Sequence, residues 1–146
     1  MPTLNAVPIR APYVDWILDG HKVWEIRSRA TKIRGLVGLI KSKSLTVVGI
    51  CRIVDVISPL TLKAIRENAQ TKMHEAPGDC RGCEGAYAWV LEDVRRLDTP
   101  VPYHHPSGAV IWVKLDEKTA ARVAKAPSTP AVPGAPREQR RTKRGA

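Results

Sequence analysis

Eight residues near the N-terminus, Gly20-His21-Lys22-Val23-Trp24-Glu25-Ile26-Arg27, gather the groups best placed to do chemistry, spaced Gly-x-Lys-x-x-Glu-x-Arg. Side chains alternate between faces on an extended strand, so Val23, Glu25 and Arg27 share one face and Trp24 and Ile26 the other. Glu25 and Arg27 then sit about 6–7 Å apart along the strand, within reach of a charge-assisted hydrogen bond. Lys22 enters at the strand's mouth, just after a glycine able to reverse the chain. Lysine and arginine hold phosphate oxygens, and a glutamate accepts from the exocyclic amine of a base. A lysine beside a carboxylate in a desolvated cleft can also activate water. A plain salt bridge flanking a turn would use the same residues.

The flanking sequence has to hold this stretch in place. Leu4–Ile9 reads as a first strand and Pro12–Asp19 as a short helix, with Tyr13, Trp16 and Ile17 on one apolar face. Pro12 suits the first turn of that helix and Gly20 its C-terminal stop. Val23–Arg27 is the second strand, followed by a basic loop, Ser28–Arg34. Gly35–Ser42 reads as a strand whose internal glycines imply a bend or a close approach of another backbone. After a turn at Lys41–Ser44, the β-branched run Thr46–Ile57 is the clearest strand in the chain. Thr61 caps a helix whose inner face holds Leu62, Ile65 and Ala69. Gln70–Gly85 is polar and turn-rich. Further strands are predicted at Ala86–Val94 and Gly108–Leu115, with a proline-rich loop, Leu97–Ser107, between them. Asp116 caps a final helix running to Ala124. Several such strands with short turns predict a barrel or a tightly curled sheet.

Three further groups are candidates for function. Among the four tryptophans of a chain without phenylalanine, Trp24 and Trp112 fall in alternating strands and are assigned to the core. Trp16 reads first as core packing and otherwise as the best candidate to stack on a base, with Tyr103 behind it. Tyr103-His104-His105 lies between prolines, as an ordinary turn or as a lid contacting a ligand. Cys80-Arg-Gly-Cys83, with His74 six residues earlier, has the spacing of half a zinc site, but a structural site needs four ligands and Cys51 lies inside a strand. No metal and no cofactor is therefore expected.

The chain has 146 residues and a formal net charge of +10. From Pro127 onward five basic residues stand against one acid, so the rest of the chain keeps +6. A basic body as well as a basic tail points to a polyanionic partner, most simply nucleic acid. The four prolines between Ala126 and Pro136 predict a disordered linker before that tail. Neither a signal peptide nor an apolar run of about 20 residues is visible, so no membrane partner is expected. An odd number of cysteines without an export signal argues against a disulfide framework and for a reduced, cytoplasmic protein.

Pro12…Trp16-Ile-Leu-x-Gly20-x-Lys22-x-x-Glu25-x-Arg27, then Arg34-Gly35 opening one strand and Gly49 inside the next, resembles the ASCH domain, grouped with the PUA-like β-barrels. Tyr87-Ala-Trp-Val-Leu and Gly108-Ala-Val-Ile-Trp are similar to its closing strands, so the resemblance covers roughly Leu4–Leu115. It implies a small PUA-like β-barrel with peripheral helices, of the α+β class, over residues 1–118, before a short helix at 119–126 and the linker and tail at 127–146. It also implies RNA, or nucleic acid more broadly, held in a cleft beside the motif. Trp16, Lys22, Glu25, Arg27, Arg29, Lys41, Ser42, Tyr103 and His104 are the expected ligand-binding residues. Small bacterial relatives hydrolyse acetylated cytidine using the motif lysine and a threonine where this chain has Glu25. Val23 likewise stands where such domains commonly carry a threonine, so binding is the first expectation. The alternative is a small hydrolase acting on modified nucleosides or a ribonuclease, with Lys22 and Glu25 as its catalytic pair.

Overall fold

The fold is described from a computed structural model over residues 2–74, 80–109 and 111–132. The elements, in order, are β1 (Leu4–Ile9), α1 (Tyr13–Leu18), β2 (Trp24–Arg27), β3 (Gly35–Lys41), β4 (Thr46–Ile57), α2 (Leu62–Lys72), β5 (Tyr87–Pro102), β6 (Val113–Leu115), α3 (Glu117–Lys125) and β7 (Ser128–Pro130). Among the described residues, the strands form one seven-stranded mixed sheet in the order β2-β5-β4-β3-β1-β6, with β7 attached to β5. The fold is α+β, but the expected barrel is not there: the sheet is open. Its two ends do not meet, because β2 has only four residues and pairs with β5 alone. At the far side β6 covers only Leu4–Ala6 of β1.

Alternating burial along β4 places Val47, Cys51 and Ile53 in the core. Its partner β5 runs for 16 residues, well beyond Val94 and into the first part of the expected Leu97–Ser107 loop, as far as Pro102. Proline and local irregularity do not end it, because bulges absorb them. An extra residue opposite the Ile50–Arg52 step lies at Asp93, whose φ is +52°. A bulge of this kind bends a strand and sharpens its twist without breaking the ladder. The strand expected from Gly108 is only Val113–Leu115. Ser128–Pro130, expected to belong to an unstructured linker, adds β7 to β5 through Arg95–Leu97. The remaining linker and the basic tail, residues 133–146, lie outside the described residues.

The helices are fixed by capping and by their apolar faces. Thr61 Oγ1 accepts from the Ala64 N–H at 3.1 Å at the start of α2, and Asp116 accepts from the Thr119 N–H at 2.7 Å at the start of α3. Helix α3 buries Thr119, Ala120 and Val123, the last in a core cluster with Leu97, Val113 and Leu115. The buried face of α1 is Val14, Ile17 and Leu18, with Tyr13 and Trp16 half-buried at its sides. Leu18 rests on Gly49 of β4, where a Cβ would collide with the leucine side chain and come within 2.7 Å of the Arg95 carbonyl oxygen. This close approach seats α1 against the sheet and so fixes where the motif begins. None of the described helices is long and apolar enough to cross a membrane.

Candidate functional site

Helix α1 ends at Gly20, whose φ of +87° is the left-handed value a helix stop requires. The Gly20 N–H reaches the Ile17 carbonyl, and those of His21 and Lys22 both reach the Trp16 carbonyl. The chain is thereby turned back over the helix end. Val23 is then tied to both sides, donating to the Lys72 carbonyl of α2 and accepting from the Leu91 N–H of β5. From there β2 pairs with β5, Glu25 opposite Trp89 and Arg27 opposite Tyr87.

Trp24 turns into a core cluster with Leu60, Ile65 and Met73, as its strand position predicts. Glu25 and Arg27 turn the other way, into the gap between β2 and β1. There the Arg27 Nε donates to Glu25 Oε2 at 2.8 Å, and an Arg27 terminal nitrogen donates to the Pro8 carbonyl at 2.8 Å. The same guanidinium lies 5.5 Å from the centre of the Trp89 ring, in cation–π range. No backbone ladder spans this gap among the described residues, and the Arg27 side chain bridges it. A cavity of about 510 Å³ opens along the seam, lined by Pro8 and Arg10 from one side, Lys22, Glu25 and Arg27 from the other, and Tyr13, Cys80 and Arg81 around the mouth.

The electrostatics of the cleft are set by burial. Lys22 is 3% exposed and Glu25 7%, so both charges are largely withdrawn from water. The Lys22 Nζ lies 5.7 Å from the centre of the Tyr13 ring. Beneath the cleft, burial pushes the Cys51 thiol up to about 12, and the nearby Glu25 charge adds to the rise. Cys51 is thus held as a neutral thiol, unsuited to metal binding or nucleophilic attack.

The other expected residues are dispersed. Arg29 is exposed and lines a second cavity, of about 390 Å³, on the far side of Arg27. Trp89 donates from Nε1 to the Arg29 carbonyl at 3.0 Å, anchoring the basic loop. Trp112, assigned to the core from sequence, is half-buried, stacks on Trp89 and also lines this second cavity. Trp16 packs edge-on against Tyr13 and His74 and lines neither cavity, so Tyr13 is the helix aromatic that faces the cleft. Lys41 pairs with Asp15 at 3.6 Å, and the Ser42 N–H is bound to the Ile9 carbonyl. Tyr103 bonds His105 at 2.9 Å and packs on a core cluster that includes Ile40, Val47 and Leu97 and none of the motif residues, with His104 exposed beside it. The sulfurs of Cys80 and Cys83 lie in contact beside the cleft, while the His74 ring stacks on His21. Arg10, Tyr13 and Arg81 were not singled out from sequence as site residues. Their contribution comes from the fold, since each reaches the cleft from a different segment.

The ASCH-domain family model matches residues 7–101. In fold the chain is similar to the crystal structure of ASCH from Zymomonas mobilis, with a TM-score of 0.61 and 14% identity over 84% of this chain and 95% of that one. A mutant of that protein, with one tyrosine replaced by phenylalanine, superposes equally, with a TM-score of 0.61 and 14% identity over 86% of this chain and 100% of that one. No curated protein sequence matches the chain. The family match spans most of the sheet and the whole Gly-x-Lys-x-x-Glu-x-Arg motif, and on that match the chain belongs to the ASCH-domain family.

Proposed function

We propose that the seam between β1 and β2 is a recognition cleft for nucleic acid, taking an RNA base or a modified nucleobase. One observation carries the reading: Lys22, Glu25 and Arg27 line a single cavity, with both Lys22 and Glu25 largely withdrawn from water. Membership of the ASCH family fits a nucleic-acid-binding or related role, as does the net charge of +10. In this reading Arg27 holds the Glu25 carboxylate in place to accept from an exocyclic amine, and Lys22 meets the sugar–phosphate. Tyr13 offers a ring at the mouth, and Arg10 and Arg81 add phosphate contacts.

A hydrolytic reading rests on the same pair, since Lys22 and Glu25 share a cavity in which a lysine beside a carboxylate can activate water. Binding of RNA and turnover of acetylated cytidine by the wild type, Lys22→Met and Glu25→Gln separate the two. Binding weakened about tenfold or more by either substitution, without wild-type turnover, supports recognition. Turnover abolished by either supports hydrolysis. Unchanged binding in both variants, with no turnover, sinks the site.

A further inference from the structure

The second cavity shares Arg27 with the cleft but is otherwise built from different residues. Trp89 and Trp112 stand parallel, 3° apart, with ring centres separated by 5.6 Å. Ile111 and Ile33 extend this apolar wall, and Arg29 and Lys32 stand at its rim. Its volume, about 390 Å³, lies within the range of pockets that hold small ligands. Trp89 is fully buried and is fixed by its bond to the Arg29 carbonyl, whereas Trp112 is half-buried and faces the cavity. An aromatic wall with cations at its edge is the arrangement that receives a base by stacking and its phosphate by charge.

We propose that this cavity is a second nucleotide subsite, so that the ligand is a single strand at least two nucleotides long and not a free nucleoside. The proposal rests on the recognition reading of the first cleft and extends it. One base enters the seam against Glu25, its neighbour stacks on Trp112, and the linking phosphate passes Arg27, the residue common to both cavities. Arg29 and Lys32 then meet the next phosphate. Trp112 and Arg29 thereby select for length, and the seam selects for the base.

The probes are cytidine monophosphate and an oligocytidylate RNA hexamer, whose base carries the exocyclic amine Glu25 would accept from, titrated against the wild type, Trp112→Ala, Trp112→Phe, the Arg29→Ala/Lys32→Ala double variant and Lys22→Met. The hexamer is expected to bind at least about tenfold more tightly than the monophosphate, and Trp112→Ala to lose about tenfold or more of hexamer affinity. Trp112→Phe, which keeps a ring, should lose less. The double variant should lower the slope of log affinity against log salt by about 0.7, one phosphate's worth. Should Trp112→Ala fail to fold, the double variant decides alone, because both its side chains are exposed on the loop. Equal affinity for the two probes overturns the second subsite. So does hexamer binding lost in Lys22→Met but unmoved in the Trp112 and loop variants, an outcome that leaves the first cleft standing. The reverse pattern overturns the first cleft alone, and no hexamer binding by the wild type overturns both.

Discussion

Replacing Arg27 by alanine is the most direct test of how the site is held together. The substitution removes the 2.8 Å bond to Glu25, the 2.8 Å bond to the Pro8 carbonyl and the cation over Trp89. A hydrogen bond between charged groups contributes about 1.5–3 kcal/mol and one to a carbonyl about 1 kcal/mol. The cation–π contact adds about 0.5–1 kcal/mol. These terms are not additive, and Arg27 keeps 24% of its side chain in solvent, which screens part of the charge. Against that, the variant strands a Glu25 carboxylate that is only 7% exposed. We expect a net loss of about 3 kcal/mol, or a urea midpoint lower by about 1.5 M for a slope near 2 kcal/mol/M. Arg27→Lys keeps the charge but cannot reach Glu25 and Pro8 as one planar fork, and it should lose about half as much. Combining Arg27→Ala with Glu25→Gln should show a coupling of about 1–2 kcal/mol, because the carboxylate no longer needs a partner. Arg29→Ala, in the exposed loop beyond the strand, should stay within about 0.5 kcal/mol of wild type. An Arg27→Ala midpoint within about 0.25 M of wild type, or no coupling with Glu25, would refute the idea that this side chain bridges the seam.

Other expectations follow from the same structure. Gly49→Ala should cost about 2–3 kcal/mol by overpacking, since the new methyl group meets Leu18 and the Arg95 carbonyl; a thermal melt unchanged from wild type would mean α1 is not seated there. Cys51 should resist alkylation at pH 8 while the protein is folded, and react once urea unfolds it; labelling of the native protein at the rate of a free thiol would contradict its burial. The thiol is raised to about 12 from an ordinary value of 9.0, so its contribution to stability is complete below pH 9 and declines as pH rises toward 12. Cys51→Ala should be less steep than wild type across that window, and identical slopes would remove Cys51 from the alkaline response. Hydrogen bonds from Thr119 hold the Asp116 carboxyl below its ordinary range. Its stabilisation is present above the unfolded-state value and is lost as pH falls through the folded one. Asp116→Asn, which still caps the helix but cannot titrate, should flatten the acid side of the stability profile. A profile as steep as wild type would exclude this cap as a source.

What sequence revealed and what it hid divides along physical lines. Thr46–Ile57 and Leu4–Ile9 were legible because β-branched and apolar runs carry strand preference locally, and the Asp116 and Thr61 caps were legible because capping is chemistry within a few residues. The Glu25–Arg27 pair followed from the two-residue period of a strand. Barrel closure was misjudged because it depends on whether distant edges meet, which no local pattern encodes. The length of β5 was hidden by Pro100 and Pro102, which read as a loop until the partner strand β4 is present, with Pro100 inside a register shift and Pro102 opposite Thr46. Trp112 reads as core only if strand alternation is carried through Gly108–Trp112, and the strand begins at Val113. Tyr13 was legible as a helix residue, but that it lines the cleft and Trp16 does not depends on how α1 packs on the sheet, which no local pattern encodes.

The bond from Arg27 to Pro8 also bears on how the chain stays apart from its own copies. Strand β1 is covered by β6 only as far as Ala6, so beyond that point it is a sheet edge. Exposed edges invite another strand to add on, and proteins blunt them with proline and with charge. The residue set on this edge is a proline, which has no N–H to offer, and its carbonyl is already taken by a guanidinium. An incoming strand would meet neither donor nor acceptor at that position. Loss of Arg27 would therefore free the Pro8 carbonyl on this edge, and a variant that lacks it should be judged for solubility before its binding is interpreted.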